Sequence, residues 1–227
     1  MNILALDTAD MVLSVALATE TGVLCTEIDA GRRHSELLME SADALCKMAG
    51  IKPGSLSRIA CMKGPGSFTG LRIGFSAAKG MALALKIPLV AVPTLDCLAY
   101  PLSIWPGIVI PAMDAKKDCF FAALYRAGQR LTDYMDASPE ALAKEIAQAR
   151  LFPEEQVVLT GGGAQLLYPR LAAHIPPERI KIDPGSRKGR AKELLNIAKS
   201  VMVYNDSGLI YSGPIYLRKS DAELKTG

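Results

Sequence analysis

The segment 58–86 joins a short apolar run to a glycine-rich turn and then to a stretch of small side chains. The apolar run spans 59–62, the turn reads Gly-Pro-Gly-Ser-Phe-Thr-Gly over 64–70, and glycine, serine and alanine dominate 74–84. This order predicts a strand, a tight loop and a helix over 71–85. Such a loop, with backbone N–H groups that lead into a helix N-terminus, is typical of phosphate sites. A turn that only joins the strand to the helix fits the same residues.

The loop matches neither of the common nucleotide-binding fingerprints. Gly66 and Gly70 are too closely spaced for a P-loop, and Leu71-Arg72 stand where a Lys-Ser/Thr pair is required. Gly64, Gly66 and Gly70 read G-x-G-x-x-x-G, one residue longer than the dinucleotide motif. We therefore treat these three glycines as candidate phosphate-binding residues, with a purely structural turn as the alternative.

The order of predicted elements in the first hundred residues indicates the fold class. Three closely spaced strands come first and can only pair as antiparallel neighbours. A helix, a strand, a second helix and a fourth apolar strand follow them. In sequence, the predicted elements are strands Ile3–Asp7, Val12–Ala18 and Gly22–Ile28, helix 35–49, strand 59–62, helix 71–85 and strand 89–92. The order β-β-β-α-β-α-β matches the ribonuclease-H-like lobe of the actin, sugar-kinase and Hsp70 architecture.

The second half of the chain shows a looser version of the same order. Strands are predicted at 107–112, 119–125 and 156–160, with helices over 139–149 and up to Leu171. The proline-flanked stretch from Pro101 to Pro106 is the natural hinge. We therefore predict an α/β protein of the two-lobe, actin-like class around a cleft. Residues 1–103 form its N-terminal ribonuclease-H-like lobe, and residues 104–227 form a smaller C-terminal lobe.

Composition excludes several functional classes. No apolar run approaches the roughly 20 residues of a membrane-spanning helix, and the N-terminus has no positively charged signal region, so we expect a cytoplasmic protein. The five cysteines form no C-x-x-C pair, which argues against a disulfide framework or a zinc knuckle. The net charge of +3 permits an acidic partner such as RNA without predicting one. The basic loop 183–192 is either a solvated surface or an RNA contact.

Two further places are candidates for nucleotide binding. Asp7 and Thr8 end the first strand, where actin-like ATPases place the carboxylate that organises Mg²⁺ and phosphate, and an Asx-type turn is the alternative. Ala9 offers no hydroxyl and the turn lacks glycine, so a complete phosphate-binding hairpin is not expected. Gly162 lies in a Gly-Gly-Gly run between a predicted strand and helix, where a flexible helix entry is the alternative. The two histidines form no metal motif, and no serine lies in a G-x-S-x-G elbow.

The two N-terminal helices carry a possible protein interface. Apolar residues recur at helical spacing in the first helix, and core packing by itself explains such a stripe. The second helix, however, has small residues on more than one side, which would let another protein approach closely. The candidate contact residues are His34, Leu38, Ala42, Leu45, Ile73, Gly74, Ala77, Ala78 and Met81.

Several motifs together resemble the bacterial TsaB (YeaZ) family. They are Leu-Ala-Leu-Asp-Thr at 4–8, His-Ser-Glu-Leu-Leu at 34–38, the highly specific string Gly-Pro-Gly-Ser-Phe-Thr-Gly-Leu-Arg-Ile-Gly at 64–74, and the tail at 214–222. The resemblance implies an accessory subunit of the machinery that makes N6-threonylcarbamoyladenosine at position 37 of tRNAs reading ANN codons. In that machinery the catalytic paralogue TsaD transfers the threonylcarbamoyl group, TsaB-like proteins bind TsaD through their N-terminal lobe, and the ATPase TsaE joins them.

The resemblance also implies that this chain is a non-catalytic scaffold. TsaD-like sequences carry a His-Met-Glu-Gly-His metal motif after the strand equivalent to 89–92, and here that stretch reads Thr94-Leu95-Asp96-Cys97-Leu98. Neither a hydroxyl nor an isobutyl group substitutes for the imidazoles as a transition-metal ligand. We therefore expect no catalytic residue, no metal and no cofactor held by this chain alone, with ATP and Mg²⁺ only in the complex. The tRNA would be contacted indirectly.

The resemblance further implies a heterodimer with a TsaD-like subunit. Because the same helix surface would also permit self-association, we expect a homodimer when this chain is alone. One alternative remains open: a small kinase-like, ATP-binding enzyme of the same fold that uses Asp7, the loop 64–70 and the glycines 161–163. A residual peptidase would need metal ligands that the sequence does not offer.

Overall fold

A computed structural model describes residues 1–149, 152, 154–201 and 213–218 of the chain. The contacts divide the chain into two compact units. The first unit contains Met1–Cys97 and the described residues of Gly189–Tyr216. The second contains the described residues of Leu98–Lys188, with Leu217 and Arg218. The lobe boundary after residue 103 stays a prediction, and the contact pattern adds that the segment from Gly189 returns to the first unit.

The first unit is built on a five-stranded sheet in the order β3-β2-β1-β4-β5. Its elements are β1 (Ile3–Asp7), β2 (Val12–Thr19), β3 (Gly22–Asp29), α1 (His34–Met48), β4 (Arg58–Gly64), α2 (Phe68–Leu85), β5 (Leu89–Pro93) and, much later in the chain, α6 (Ala191–Ser200). Helix α3 (Thr94–Ala99) begins in this unit, and its last two residues belong to the second unit. The three N-terminal strands pair as an antiparallel meander, and β4 and β5 continue the sheet in parallel from β1. The predicted meander followed by βα alternation is therefore confirmed.

Helices cover both faces of this sheet, because alternate residues of each strand point to opposite sides. On one face, Leu4 and Leu6 of β1 join a buried apolar cluster with residues of α1 and α2. The other face receives α6, whose buried residues are Ala191, Leu194, Leu195 and Ala198. Arg58 anchors the far end of α6 by donating hydrogen bonds to the carbonyl oxygens of Ala198 and Val201. A cation at this position is favourable for a helix C-terminus.

The second unit repeats this topology with shorter strands. Its elements are β6 (Ile108–Asp114), β7 (Phe120–Ala122), β8 (Tyr125–Arg126), β9 (Gln129–Arg130), β10 (Met135–Ala137), α4 (Pro139–Ala149), β11 (Val157–Thr160), α5 (Ala164–Leu171) and β12 (Ile180–Ile182). The strand order is β10-β7-β6-β11-β12, with the small β8–β9 hairpin attached to β6. The pairs β6–β7 and β7–β10 are antiparallel, whereas β6–β11 and β11–β12 are parallel. This unit therefore has the strand order of the first unit and completes the predicted two-lobe, actin-like α/β fold.

One strand prediction differs from the structure, and several elements were not predicted. The single strand expected over 119–125 is divided into β7 and β8, because the intervening Ala123 and Leu124 are buried outside the β7–β10 ladder and Leu124 N–H bonds the Thr132 hydroxyl instead. The short strands β9, β10 and β12 and the helices α3 and α6 were not predicted. Among the described residues, no helix is long and apolar enough to cross a membrane.

Candidate functional site

Asp7 lies at the carboxyl end of β1, and both of its carboxylate oxygens accept hydrogen bonds from other residues of the chain. Its Oδ1 accepts a hydrogen bond from the Ala9 N–H at 3.1 Å, which is the Asx-type turn that the sequence offered as an alternative. Its Oδ2 accepts from the Arg190 N–H at 2.8 Å and from the Ser14 hydroxyl at 3.4 Å. The Ser14 Oγ in turn accepts from the Ala191 N–H at 3.0 Å. Asp7 and Ser14 together therefore cap the N-terminus of α6.

We call this arrangement the Asp7 corner (Asp7, Ser14 and Gly189–Ala191). It leaves little space between the beginning of α6 and the β1–β2 hairpin. A Cβ at Gly189 would overlap the Ser14 side chain, so only glycine lets α6 approach the β1–β2 hairpin this closely. Burial raises the pKa of Asp7 to about 6, against the lowering effect of its hydrogen bonds from Arg190 and Ala9. The carboxylate thus occupies the place at a helix N-terminus where a bound anion would otherwise sit.

Thr8 holds the beginning of α2 against the end of β1. Its hydroxyl donates to the Gly70 carbonyl oxygen at 2.7 Å, and both groups are buried. A Cβ at Gly70 would overlap the Thr8 carbonyl oxygen, and a Cβ at Gly74 would overlap the Thr8 hydroxyl. These two glycines therefore let the first turns of α2 pack against the end of β1.

Two backbone N–H groups at the beginning of α2 are bonded within the chain. The Ser67 N–H donates to the Ala9 carbonyl oxygen at 2.8 Å, and the Ser67 hydroxyl caps α2 by accepting from the Gly70 N–H at 3.2 Å. Gly66 is half-buried in this turn. Gly64 has a φ of +101°, and a Cβ there would come within 2.5 Å of the Ile215 carbonyl oxygen. Gly64 thus accommodates the C-terminal part of the chain.

Gly162 lies in the second unit, between β11 and α5. The neighbouring Gly163 N–H donates to the Ala112 carbonyl oxygen at 2.9 Å, and the Ala164 N–H donates to the Gly161 carbonyl oxygen at 3.0 Å. Gly161 has a φ of +89°, which explains a glycine at that position. This run therefore forms a tight helix entry, and Gly162 itself is half-buried.

Residues 94–98, which the resemblance compares with the TsaD metal motif, lie in α3. Thr94 and Leu98 are both buried there. Across 1–149, 152, 154–201 and 213–218, no three histidine, cysteine or acidic side chains come together as a metal site. Neither the Thr94 hydroxyl nor the Leu98 side chain is a usual transition-metal ligand.

The candidate interface residues divide into two groups. His34, Leu38, Ala42, Leu45, Gly74 and Ala78 are buried in the first unit, whereas Ile73, Ala77 and Met81 remain partly exposed. The helical spacing that suggested an interface is thus largely the spacing of the face that packs on the sheet. The six buried residues pack within the first unit. Only Ile73, Ala77 and Met81 are therefore accessible for direct contact with a partner. The interface itself stays a prediction.

The outer side of the same helices nevertheless carries apolar and small residues. Because α1 and α2 pack on one face of the sheet and touch each other, their exposed stripes lie on the outer side of one helical layer. Met48 is 72% exposed, and a Cβ at Gly80 would meet no atom within 4 Å. We define the docking face as Leu37, Ala44 and Met48 of α1 with Ile73, Ala77, Gly80, Met81 and Ala84 of α2.

Sequence reasoning did not find the partners of Asp7 or the contact between Gly64 and Ile215. The one signal for the Asp7 corner was Ser14, a polar residue among the apolar residues 12–18 of β2. The C-terminal motif was recognised at 214–222 only as a resemblance, and its residues 219–222 lie outside the described part of the chain.

Comparison with known proteins identifies the family of this chain. The model of the family described as "TsaD: tRNA N6-adenosine threonylcarbamoyltransferase" matches residues 16–224. A Bacillus subtilis protein named tRNA threonylcarbamoyladenosine biosynthesis protein TsaB is 28% identical over 99% of this chain and 97% of its own length. The Escherichia coli protein of the same name is 27% identical over 99% of this chain and 98% of its own length.

A solved structure extends the likeness to three dimensions. The crystal structure of a Pseudomonas aeruginosa protein described as similar to the peptidase YeaZ superposes with a TM-score of 0.78 and 26% identity. The superposition covers 96% of this chain and 99% of that one. The chain therefore belongs to the TsaD family, and within it to the TsaB (YeaZ) type.

Proposed function

We propose that this chain is a non-catalytic accessory subunit of the machinery that installs N6-threonylcarbamoyladenosine at position 37 of tRNA. In this role it docks on a TsaD-type catalytic subunit through the docking face. A TsaE-type ATPase joins the complex, and the tRNA is bound by the assembly rather than by this chain alone. We expect it to act in the cytoplasm, where tRNA is modified.

The observation that carries the proposal is the docking face, in which Ala44, Met48, Gly80 and Ala84 are exposed and four apolar side chains are half-buried, on a member of this family. Full burial of a side chain such as Met48 is worth about 1.5–3 kcal/mol. Small residues at Ala77, Gly80 and Ala84 would let a partner helix approach the backbone of α2 closely. The two helices, of 15 and 18 residues, are about 22 and 27 Å long, long enough to pack against an equivalent pair on a protein of the same fold.

The Asp7 corner supports the non-catalytic part of the proposal. Each Asp7 carboxylate oxygen already accepts hydrogen bonds from the chain, and Gly189 brings α6 against the β1–β2 hairpin. A nucleotide phosphate and Mg²⁺ would have to displace the capped end of α6 before reaching the carboxylate. Thr94 and Leu98, which stand where TsaD-like sequences carry the two metal-binding histidines, are buried and offer no metal ligands.

A binding experiment tests the docking face. Gly80→Arg places a long charged side chain on the outer side of α2, and we expect it to weaken binding to a purified TsaD-type protein at least tenfold. Gly54→Arg is the matched control, because a Cβ at Gly54 also meets no atom within 4 Å and lies outside α1 and α2. Undiminished binding by Gly80→Arg would contradict the proposal. Substitutions at Gly74 or Ala78 would test folding instead, since both residues are buried.

Reconstitution of the tRNA modification tests the accessory role. With a TsaD-type enzyme, a TsaE-type ATPase, tRNA and the threonylcarbamoyl donor, we expect the rate to depend on this chain. A full rate in its absence would refute the role. Tight binding of Mg-ATP to this chain alone, lost in Asp7→Ala, would instead favour the kinase-like alternative.

The same docking face would also permit self-association. We expect a homodimer in the isolated protein that Gly80→Arg converts to a monomer, measured by light scattering over a range of concentrations. A monomer at every concentration in the unmodified protein would argue against this expectation.

A further inference from the structure

A short C-terminal segment, Gly213–Tyr216, lies against the loop that begins α2, and we call it the C-terminal strap. We propose that the strap holds the N-terminal end of α2 in position, which makes Tyr216 a positioning residue for the docking face. This inference rests on the proposed function for its consequence, but its structural part can be tested separately.

The backbone of the strap is tied to the end of β4. The Ile215 N–H donates to the Lys63 carbonyl oxygen at 2.6 Å. The next residue, Gly64, adopts a φ of +101°, and any side chain there would collide with the Ile215 carbonyl oxygen. A glycine in a phosphate loop lets a ligand approach the backbone, and here the approaching group is the chain itself.

The side chains of the strap reach the first turn of α2. The rings of Tyr216 and Phe68 are 5.0 Å apart at their centroids and tilted by 41°. The Arg72 guanidinium lies 3.7 Å from the centroid of the Phe68 ring, and its Nε donates to the Tyr216 hydroxyl oxygen at 3.3 Å. Phe68 and Arg72 are one helical turn apart, so Tyr216 contacts the helix at two successive levels.

The start of α2 is thus held from two directions. Thr8 contacts Gly70 and Gly74 from beneath, and the strap contacts Gly64, Phe68 and Arg72 from the exposed side. Arg72 directly precedes Ile73, the first docking-face residue of α2. A change in the position of this turn therefore moves the near end of the docking face.

The test compares Tyr216→Ala with Tyr216→Phe in the full chain. Loss of the ring removes an aromatic contact and the acceptor for Arg72, and we expect about tenfold weaker binding to the TsaD-type protein. Tyr216→Phe keeps the ring and should restore most of the affinity. Tyr100→Ala removes a similarly exposed tyrosine (43% against 40%) from the second unit and should bind normally.

Two readouts separate a positioning role from a general loss of stability. In the reconstituted reaction, Tyr216→Ala should need about tenfold more of this chain for half-maximal rate, with the saturated rate unchanged. Amide hydrogen exchange should accelerate over 68–72 and remain unchanged in α1. A reduced saturated rate, or faster exchange throughout the first unit, would contradict the inference.

The Gly80→Arg variant distinguishes failure of this inference from failure of the docking proposal. If Gly80→Arg loses binding and Tyr216→Ala retains it, the docking face is supported and the strap has no positioning role. If Gly80→Arg binds normally, the docking face is wrong. In that case unchanged exchange over 68–72 in Tyr216→Ala would overturn the strap as well, and accelerated exchange would support its hold on α2.

Discussion

Replacing Gly74 or Gly80 by alanine adds one methyl group to α2 at positions six residues apart, in very different surroundings. At Gly80 the methyl group meets no atom within 4 Å, so the variant should gain the usual helix preference of alanine over glycine, about 0.5–1 kcal/mol. At Gly74 the methyl group overlaps the buried hydroxyl of Thr8, which donates to the Gly70 carbonyl oxygen. Overpacking costs roughly 1–3 kcal/mol, and loss of that hydrogen bond about 1 kcal/mol.

After the helix preference is subtracted, Gly74→Ala should lower the free energy of unfolding by about 1–3 kcal/mol. Urea denaturation followed by circular dichroism measures the change, and amide exchange in β1 and β4 assigns it to the first unit. In a Thr8→Ala background the overlap is gone, so the cost of Gly74→Ala should fall by at least about 1 kcal/mol. Equal effects at the two glycines, or no coupling between Gly74 and Thr8, would refute the packing role assigned to Gly74.

Three further predictions concern stability. Burial raises the Asp7 pKa from 3.8 to about 6, so ionisation of Asp7 destabilises the folded protein. As the pH rises from 3 to 7, the free energy of unfolding should therefore fall by about 3 kcal/mol relative to that of Asp7→Asn. Parallel pH profiles of the unfolding free energy in the two proteins would contradict this. Ser67→Ala should cost about 1 kcal/mol through loss of the α2 cap, and a thermal scan that shows no shift would argue against that cap. Arg218→Lys should cost about 1 kcal/mol, because lysine cannot make both bonds to Asp136, and a urea midpoint unchanged from wild type would contradict it.

The sequence was sufficient to predict the first unit's sheet, because β1, β2, β4 and β5 are mainly apolar runs and only short polar turns separate β1, β2 and β3. Helix 139–149 was also predicted with correct bounds, since its apolar residues repeat at helical spacing. The strands β9, β10 and β12 were not predicted, because two or three residues give too little alternation to detect. Helix α6 was missed because the basic residues 187–192 made its beginning look like a loop.

The candidate site was harder to predict than the fold. Periodicity identified α1 and α2 as amphipathic, but it does not say which residues of a stripe face the sheet and which remain exposed. Gly74 and Gly80 look equivalent in the sequence, and only the position of Thr8 separates them. Arg190, which donates its N–H to Asp7, lies 183 positions away along the chain, so no local pattern could indicate that contact.

The separation of α6 from the rest of its unit has a consequence for biosynthesis. The sheet of the first unit is complete at Pro93, but the helix that covers its second face begins only at Ala191. At translation speeds of roughly 5–20 residues per second, α6 begins to be synthesised roughly 5–20 s after the end of β5. Until then, that face and the Asp7 carboxylate are not covered by α6. During this interval the nascent first unit exposes apolar strand residues, and the second unit is synthesised while they remain open. The first unit therefore cannot complete its fold until α6 has been synthesised. A chain truncated before Ala191 would leave one face of the sheet uncovered and prone to aggregation.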